Sequence, residues 1–538
     1  MKQTMKQHAF TTRLKSLAVV FGIALAFASC ANEDVPQTPT NPKEDNDKNL
    51  TTFMTGGETR TSLNYNSGDF YWEAGDYIYV KDDDGVLQKS RNAPTSKVAS
   101  FNYKVPGKFT ASSSYKVYYL GKNSDGTSVS ISTAQSQTAP DNTEHFGTAG
   151  DYGTATATGT LGGKAFSFEL EHQPAYLVFQ PYINNNVLKD CYITKVEVSS
   201  DDDIAEKYTV NPTTGALVAS AVTNGDKIVL TTKDPKWGSS NYNGFPLTNS
   251  SASVSTNGAY MVIKPGTHTL RVRYWVKDLV TQVEGTITKT YPSTAYASNT
   301  YYDMKANLNI RDYDGTKYYM WDAQQNYWYG YEWTKHLPES TGQPTLNGHS
   351  SPSYAQSNSD VSRWYNESFP GSGVSNPATH TSCKDLPNAN EMSWYCMYGD
   401  PRWDGDKLWT TMGHLYKGGM WFKKKSVLLA EHHYDTEKSA DGTTDLRTAY
   451  KEYINTNSSI NNSGLPSAAD ANKFFYLPAL GSYESSQLNN IGLHGFYWSS
   501  TAYPRFRNYA NYLTFGSGIV IARSLDRSYG FRAEALFE

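Results

Sequence analysis

From Thr51 onward the chain is written in short runs of β-branched and aromatic residues, cut every few positions by Gly, Asn, Asp or Pro. This rhythm favours sheet over helix. Thr61, Leu63 and Tyr65 alternate, Asn66-Ser67-Gly68-Asp69 supplies a turn, Phe70 and Trp72 follow, and Ala74-Gly75-Asp76 turns the chain again before Tyr77-Ile78-Tyr79-Val80. Further runs are "AFSFELEH" (165–172), "AYLVFQPYI" (175–183), "CYITKVEVSS" (191–200), "KIVLTT" (227–232), "AYMVIKPG" (259–266) and "TLRVRYWVKD" (269–278). Strands this short, with turn residues between them and no long helix, predict antiparallel β-sandwiches. The repeated rhythm predicts two, at 51–185 and 186–310, joined near residues 180–190. The fold class expected for the whole chain is mainly β, with an α+β region at 311–538.

The start of the chain has a different character. Lys2, Lys6, Arg13 and Lys15 precede an apolar run from Leu17 to Ala28, shorter than the roughly 20 residues that span a bilayer. With small Ala28 and Ser29 before Cys30, residues 1–29 read as a signal peptide. The Ala28-Ser29-Cys30 ending resembles the lipobox of bacterial lipoproteins, with Phe27 where that pattern prefers Leu. The resemblance implies that Cys30 carries lipid, its partner being the outer membrane; the alternative is an ordinary secretory signal with a chance cysteine. "ANEDVPQTPTNPKEDNDKNL" (31–50) has almost nothing to bury and reads, with Cys30, as a flexible lipidated tether. Glu33 and Asp34 resemble an acidic signal for the outer face of the outer membrane, or are part of a solvated linker. The roughly 508 residues after Cys30 suffice for about three domains. Charged residues make up 19% and the formal net charge is −4, which gives no reason to expect nucleic acid as a partner.

The set "RTSLNYNSGDFYWEAGDYIYV", "FSFELEHQPAYLVFQ", "ITKVEV", "YMVIKPGTHTLRVRYWVKD" and "NTYYDMKANL", in that order over about residues 50–310, resembles the fimbrillin family of Bacteroidota lipoproteins, whose members build type V pili. The resemblance implies two β-sandwich domains, other pilin subunits as partners, and for many members proteolysis after an arginine. A strand from a neighbouring subunit then fills the vacated groove, by β-strand addition. Arg60 is the first arginine after Cys30 and so the first place for such a cut; it also reads as a solvated charge beside the first strand.

The last region has its own texture. "KYYMWDAQQNYWYGYEW" (317–333) is dense in aromatics, which fill a small core or stack against sugar rings. In "LPNANEMSWYCMYGD" (386–400), Asn388 caps a helix, Glu391 completes a capping box and Gly399 ends it. "DLRTAYKEYINT" (445–456) puts Leu446, Ala449, Tyr450, Tyr453 and Ile454 at helical spacing, predicting a second helix. "GFYWSSTAYPRFRNYANYLTFGSGIVIARSLDRSYGFRAEAL" predicts three or four short strands. Together "CKDLPNANEMSWY", "FFYLPALGSY", "GFYWSSTAY", "NYLTFGSG" and "DRSYGFRAEAL" (383–538) resemble the Fibrobacter succinogenes major paralogous domain, which looks like a relative of the C-type-lectin and formylglycine-generating-enzyme folds. That implies a compact surface module, not catalysis. Three thiols follow Cys30, of which Cys383 and Cys396 are the natural candidates for a disulfide; two buried unpaired thiols are the alternative.

Other constellations are weaker. Glu431, His432, His433 and Asp435 lack metal-ligand spacing, and no HExxH or CxxC occurs. Asp82-Asp83-Asp84-Gly85 and Asp201-Asp202-Asp203 lack the calcium-loop register and read as hairpin turns. Ser499 and Ser500 have no nucleophile elbow. The expectation is therefore a non-enzymatic component of the cell surface or fimbrium, without cofactor or metal, of tip or accessory kind. Its last domain would meet a host or bacterial surface glycan or protein. The competing reading is a non-polymerising surface lipoprotein.

Overall fold

Alternation of inward and outward side chains turns the runs after Thr51 into packed sheets in the computed structural model, which describes residues 6–9, 49–55, 62–63, 65, 70–122, 124–184, 188–279, 282–332, 350–462 and 464–538. In the first sandwich, Leu87–Lys89, Tyr79–Lys81, Ser114–Tyr119, Gly153–Gly159, Ala165–Phe168, Thr51–Thr55 and Asn102–Val105 lie side by side in that order. Their inward residues, with Trp72 from a neighbouring segment, close a core around Phe53, Trp72, Val80, Tyr103, Val117 and Phe166.

Ala175–Tyr182 is buried along nearly its whole length, as a strand covered on both faces must be. It pairs with Ala259–Ile263 antiparallel and Thr300–Asn307 parallel. The strand therefore lies in the second sandwich, and the change of sheet falls between His172 and Ala175, ahead of the join expected near 180–190. An unbroken apolar run suits either sandwich; pairing with strands far along the chain decides. The facing sheet consists of Ala134–Gln137, Lys227–Thr232, Cys191–Ser200, Gly266–Asp278 and Glu284–Tyr296. It turns Val196, Val198, Val272 and Tyr274 inward. On the open edge of Thr300–Asn307 lies Lys6–Ala9, antiparallel, with Lys6 opposite Asp303 and Ala9 opposite Thr300.

A parallel bridge between Thr286 and Lys407 carries the facing sheet into the third region. There it continues through Arg402–Thr411, His414–Lys423 and Phe474–Pro478. The join is close: a Cβ on Gly285 would lie 2.4 Å from the Asp406 carbonyl oxygen. Arg273 donates across it to Asp404 at 3.3 Å, and Leu408 and Leu415 reach into the sandwich core. The third region's other sheet runs Tyr318–Tyr319, Phe531–Arg532, Gly495–Ala502, Tyr509–Gly516, Ile519–Asp526 and Tyr453–Asn455. The helix Ala389–Tyr398 packs on it, with Asn388 and Glu391 forming the expected reciprocal capping box and Gly399 at its end.

The helix expected over 445–456 does not form. The Asn390 side chain accepts from Leu446 N at 2.8 Å and donates to Asp445 at 3.0 Å, which holds one turn. Tyr453–Asn455 then pairs as a strand with Val520 to Ala522. Tertiary partners override the local period. Two arginines are completely buried here. Arg527 lies 4.4 Å from the Trp321 ring and donates to the carbonyls of Tyr509 (3.0 Å) and Ser368 (3.1 Å). Arg532 lies 4.8 Å from the Tyr318 ring and donates to the Asp314 carbonyl at 2.7 Å. Arg527 ties the long segment around Ser368 to the sheet and Arg532 ties the turn after Tyr313 to it, both through charge-assisted bonds.

Candidate functional site: the strand slot before Arg60

Thr51–Thr55 follows the tether directly, and its side chains alternate inward and outward: Thr51, Phe53 and Thr55 are buried, while Met54 is exposed. It is wedged between two strands that are not neighbours in sequence. Asn102–Val105 pairs with it antiparallel, Phe53 opposite Tyr103. Ala165–Phe168 pairs with it parallel, Phe53 opposite Phe166. Without it these flanking strands would each present an unpaired edge, and a gap would divide the sheet.

Phe53 fills the slot. Its ring stacks on Phe166 at 5.4 Å and meets Phe109 edge-on at 5.1 Å and Tyr115 at 6.5 Å. Around it, Thr52 N donates to the Lys164 carbonyl (2.9 Å), Phe101 N donates to Thr55 Oγ1 (2.8 Å), and Lys104 Nζ donates to Thr52 Oγ1 (2.9 Å). Burial raises the Tyr115 hydroxyl's pKa, and its bond to Asp83 at 2.7 Å adds to the rise. The slot thus offers main-chain pairing on both sides and one deep aromatic pocket, the two elements by which a sheet recognises an added strand.

The sequence carries the alternation of Thr51–Thr55 ahead of Arg60 but not its insertion between two strands distant in the chain. Cys30 and Arg60 lie outside the described residues. Cys383 and Cys396 are free and buried, so the disulfide considered for them is not made. Cys383 Sγ accepts from Asp322 N at 3.2 Å, whereas Cys396 Sγ contacts the carbonyls of Tyr453 and Val520. They belong to different core clusters, because the helix cap turns Cys396 toward the strand sheet and away from the loop of Cys383.

The acidic runs are structural. Asp82 accepts from Asp84 N and Val86 N in a hairpin turn. Asp201 accepts from Thr269 N at 2.9 Å and pins a crossing between two sheets, not the hairpin expected there. His433 stacks on Tyr398 at 4.2 Å and Glu431 pairs with Lys423 at 2.7 Å. Among the described residues no group of three or more His, Cys, Asp or Glu is arranged to hold a metal ion. Ser499 Oγ donates to the Asn511 carbonyl at 2.8 Å. Of the aromatic run, Tyr318, Trp321, Tyr327 and Trp328 are core, while Tyr329 and Tyr331 are exposed.

No protein-family model matches the chain, and no curated protein matches it. Solved structures similar to it include a candidate cell adhesion protein from Bacteroides ovatus, 14% identical, with a TM-score of 0.32 over 48% of this chain and 93% of that one. A fimbrial protein from Bacteroides ovatus is 12% identical, with a TM-score of 0.22 over 90% of this chain and 99% of that one. The fimbrial anchor protein Mfa2 from Porphyromonas gingivalis is 12% identical, with a TM-score of 0.19 over 44% of this chain and 80% of that one.

Proposed function

We propose that this chain is a non-enzymatic surface component of a fimbrium, of tip or accessory kind, exported as a lipoprotein through Cys30 and matured by cleavage after Arg60. The observation that carries the reading is the position of Thr51–Thr55. It is an interior strand of the first sandwich, second from the sheet's edge, yet it lies wholly on the N-terminal side of Arg60. A cut there removes the strand with the tether and leaves the Phe53 pocket and two strand edges for a strand of another subunit. Loss of residues 1–29 likewise vacates the edge of Thr300–Asn307 that Lys6–Ala9 covers. In this reading 311–538 is the adhesive module, because a further domain fused to the second sandwich suits an end position.

A second reading is a surface lipoprotein that never polymerises and binds glycan or host protein. What favours it is that the uncut chain already fills its own slot.

N-terminal analysis of the protein in sheared, purified fimbriae tests the proposal. The expected N-terminus is Thr61, and Arg60→Ala is expected to leave the protein lipid-anchored and absent from fimbriae. Fimbrial protein that still begins at Cys30 would overturn maturation; immunogold label along shafts would overturn the end position.

A further inference from the structure

The turn joining Gly495–Ala502 to Tyr509–Gly516 carries Arg505, Phe506 and Arg507, all exposed in succession. Phe506 is 56% exposed, and across the turn Tyr450 is 42% exposed. Both rings rest on the buried Tyr503, at 5.6 and 5.4 Å between centroids, and Phe506 also meets Tyr509 at 5.7 Å. The two exposed rings are therefore held on one packed base. The guanidinium of Arg505 lies 5.4 Å from the Tyr450 ring. Neither Arg505 nor Arg507 forms an ion pair among the described residues. An apolar surface bordered by Arg505, with exposed Arg507 next in the same turn and neither guanidinium in an ion pair among the described residues, is unusual for a surface that meets only water.

We infer that this platform binds an acidic polysaccharide, one whose repeating units carry a carboxylate on a sugar ring. Each unit then presents a flat C–H face to Phe506 or Tyr450 and a carboxylate to Arg505 or Arg507, which take carboxylates in bidentate fashion. An acidic polypeptide matches the charge but places no flat apolar face beside each carboxylate. A nucleic acid also matches rings and charge, and its binding is one of the outcomes of the test below. The location also fits. Gly492, just before the strand Gly495–Ala502, lies against Gly418 beside the seam with the second sandwich. The strand is about 25 Å long, and the platform stands at the opposite end of it from Gly492.

The inference rests on the proposed adhesive role of 311–538, and the test separates the two. Affinity electrophoresis of the mature full chain is run in gels containing polygalacturonate, dextran or poly-L-glutamate, with an oligothymidylate binding assay alongside. Retardation by polygalacturonate alone is expected, weakening with salt. The pair Arg505→Gln and Arg507→Gln, and separately Phe506→Ala with Tyr450→Ala, are each expected to weaken it by about tenfold or more, with the melting temperature unchanged in the arginine pair, whose side chains are exposed, and the fold retained in the aromatic pair. Equal retardation by poly-L-glutamate, equal binding of oligothymidylate, retardation by dextran, or no effect of either double variant would overturn the inference. Surface protease accessibility in whole cells is read in parallel. A chain that is accessible but not retarded defeats this inference alone, whereas one that is retarded but never reaches the surface defeats the adhesive reading alone.

Discussion

Replacing Phe53 by Ala in the uncut chain tests whether the slot is held by one side chain. The ring is fully buried and packed against Phe109, Tyr115 and Phe166. Phe-to-Ala changes at such sites cost about 3–5 kcal/mol, from lost transfer energy and the cavity left behind. The loss should be greatest in the first sandwich, because Phe53 lies in a core cluster distinct from the one that holds 191–200, although Tyr79 and Tyr118 of the same sheet pack into the latter. Hydrogen exchange resolves it locally. If the protected amides of 102–105 and 165–168 open with their sheet, their exchange should accelerate by roughly two to three and a half decades, at about 1.4 kcal/mol per decade. Amides of 191–200 in the second sandwich should not change. Met54→Ala is the control, because that side chain points to solvent, and it should cost less than about 1 kcal/mol. A synthetic peptide covering 49–57, added to a chain that begins at Thr61, should restore protection, and the same peptide with Ala at position 53 should not. Equal effects of Phe53→Ala and Met54→Ala would refute the argument, as would acceleration spread evenly through both sandwiches.

Cys30→Ser should release the protein from membranes or leave it unprocessed, scored by fractionation and intact mass; unchanged membrane association would remove the lipoprotein claim. Burial pushes the Cys383 and Cys396 thiols up to about 12, so both should resist iodoacetamide at pH 8 in the native protein and react fully in urea; native alkylation would refute this. Burial likewise pushes the hydroxyls of Tyr313, Tyr416 and Tyr208 up to about 12 from an ordinary 10. Such groups hold protons in the folded state that the unfolded state releases, so the stability they contribute is intact below pH 10 and is lost as pH rises toward 12. Tyrosinate absorbance should therefore rise in a late, cooperative step coincident with unfolding, and a smooth non-cooperative titration centred at pH 10 would contradict the packing.

What was legible in the sequence was whatever depends on near neighbours. The helix 389–398 was readable because Asn388 and Glu391 cap it within one turn, and the strand rhythm was readable because inward and outward residues alternate locally. The stretch 445–456 misled because its helical spacing is real but weaker than the bonds from Asn390 and the ladder to Val520–Ala522. Which sandwich owns Ala175–Tyr182 is settled only by strands at 259–263 and 300–307. Spacing of Cys383 and Cys396 said nothing of the core each enters. The slot itself was half legible: "TTFMT" alternates, but only the parallel pairing of Phe53 with Phe166 distinguishes an inserted strand from an ordinary first strand.

The seam at Gly285 also has a mechanical meaning. A module hung from a sandwich by a loose linker would swing, and a pull on it would first straighten the linker. Here the sheet crosses from one body to the next through Thr286 and Lys407, braced by the Arg273 contact to Asp404 and by backbone so close that a side chain at 285 has no room. Tension applied at the far end of the module is carried straight into the long hairpin 266–296, so a pull on the module would load sheet against sheet with almost no slack.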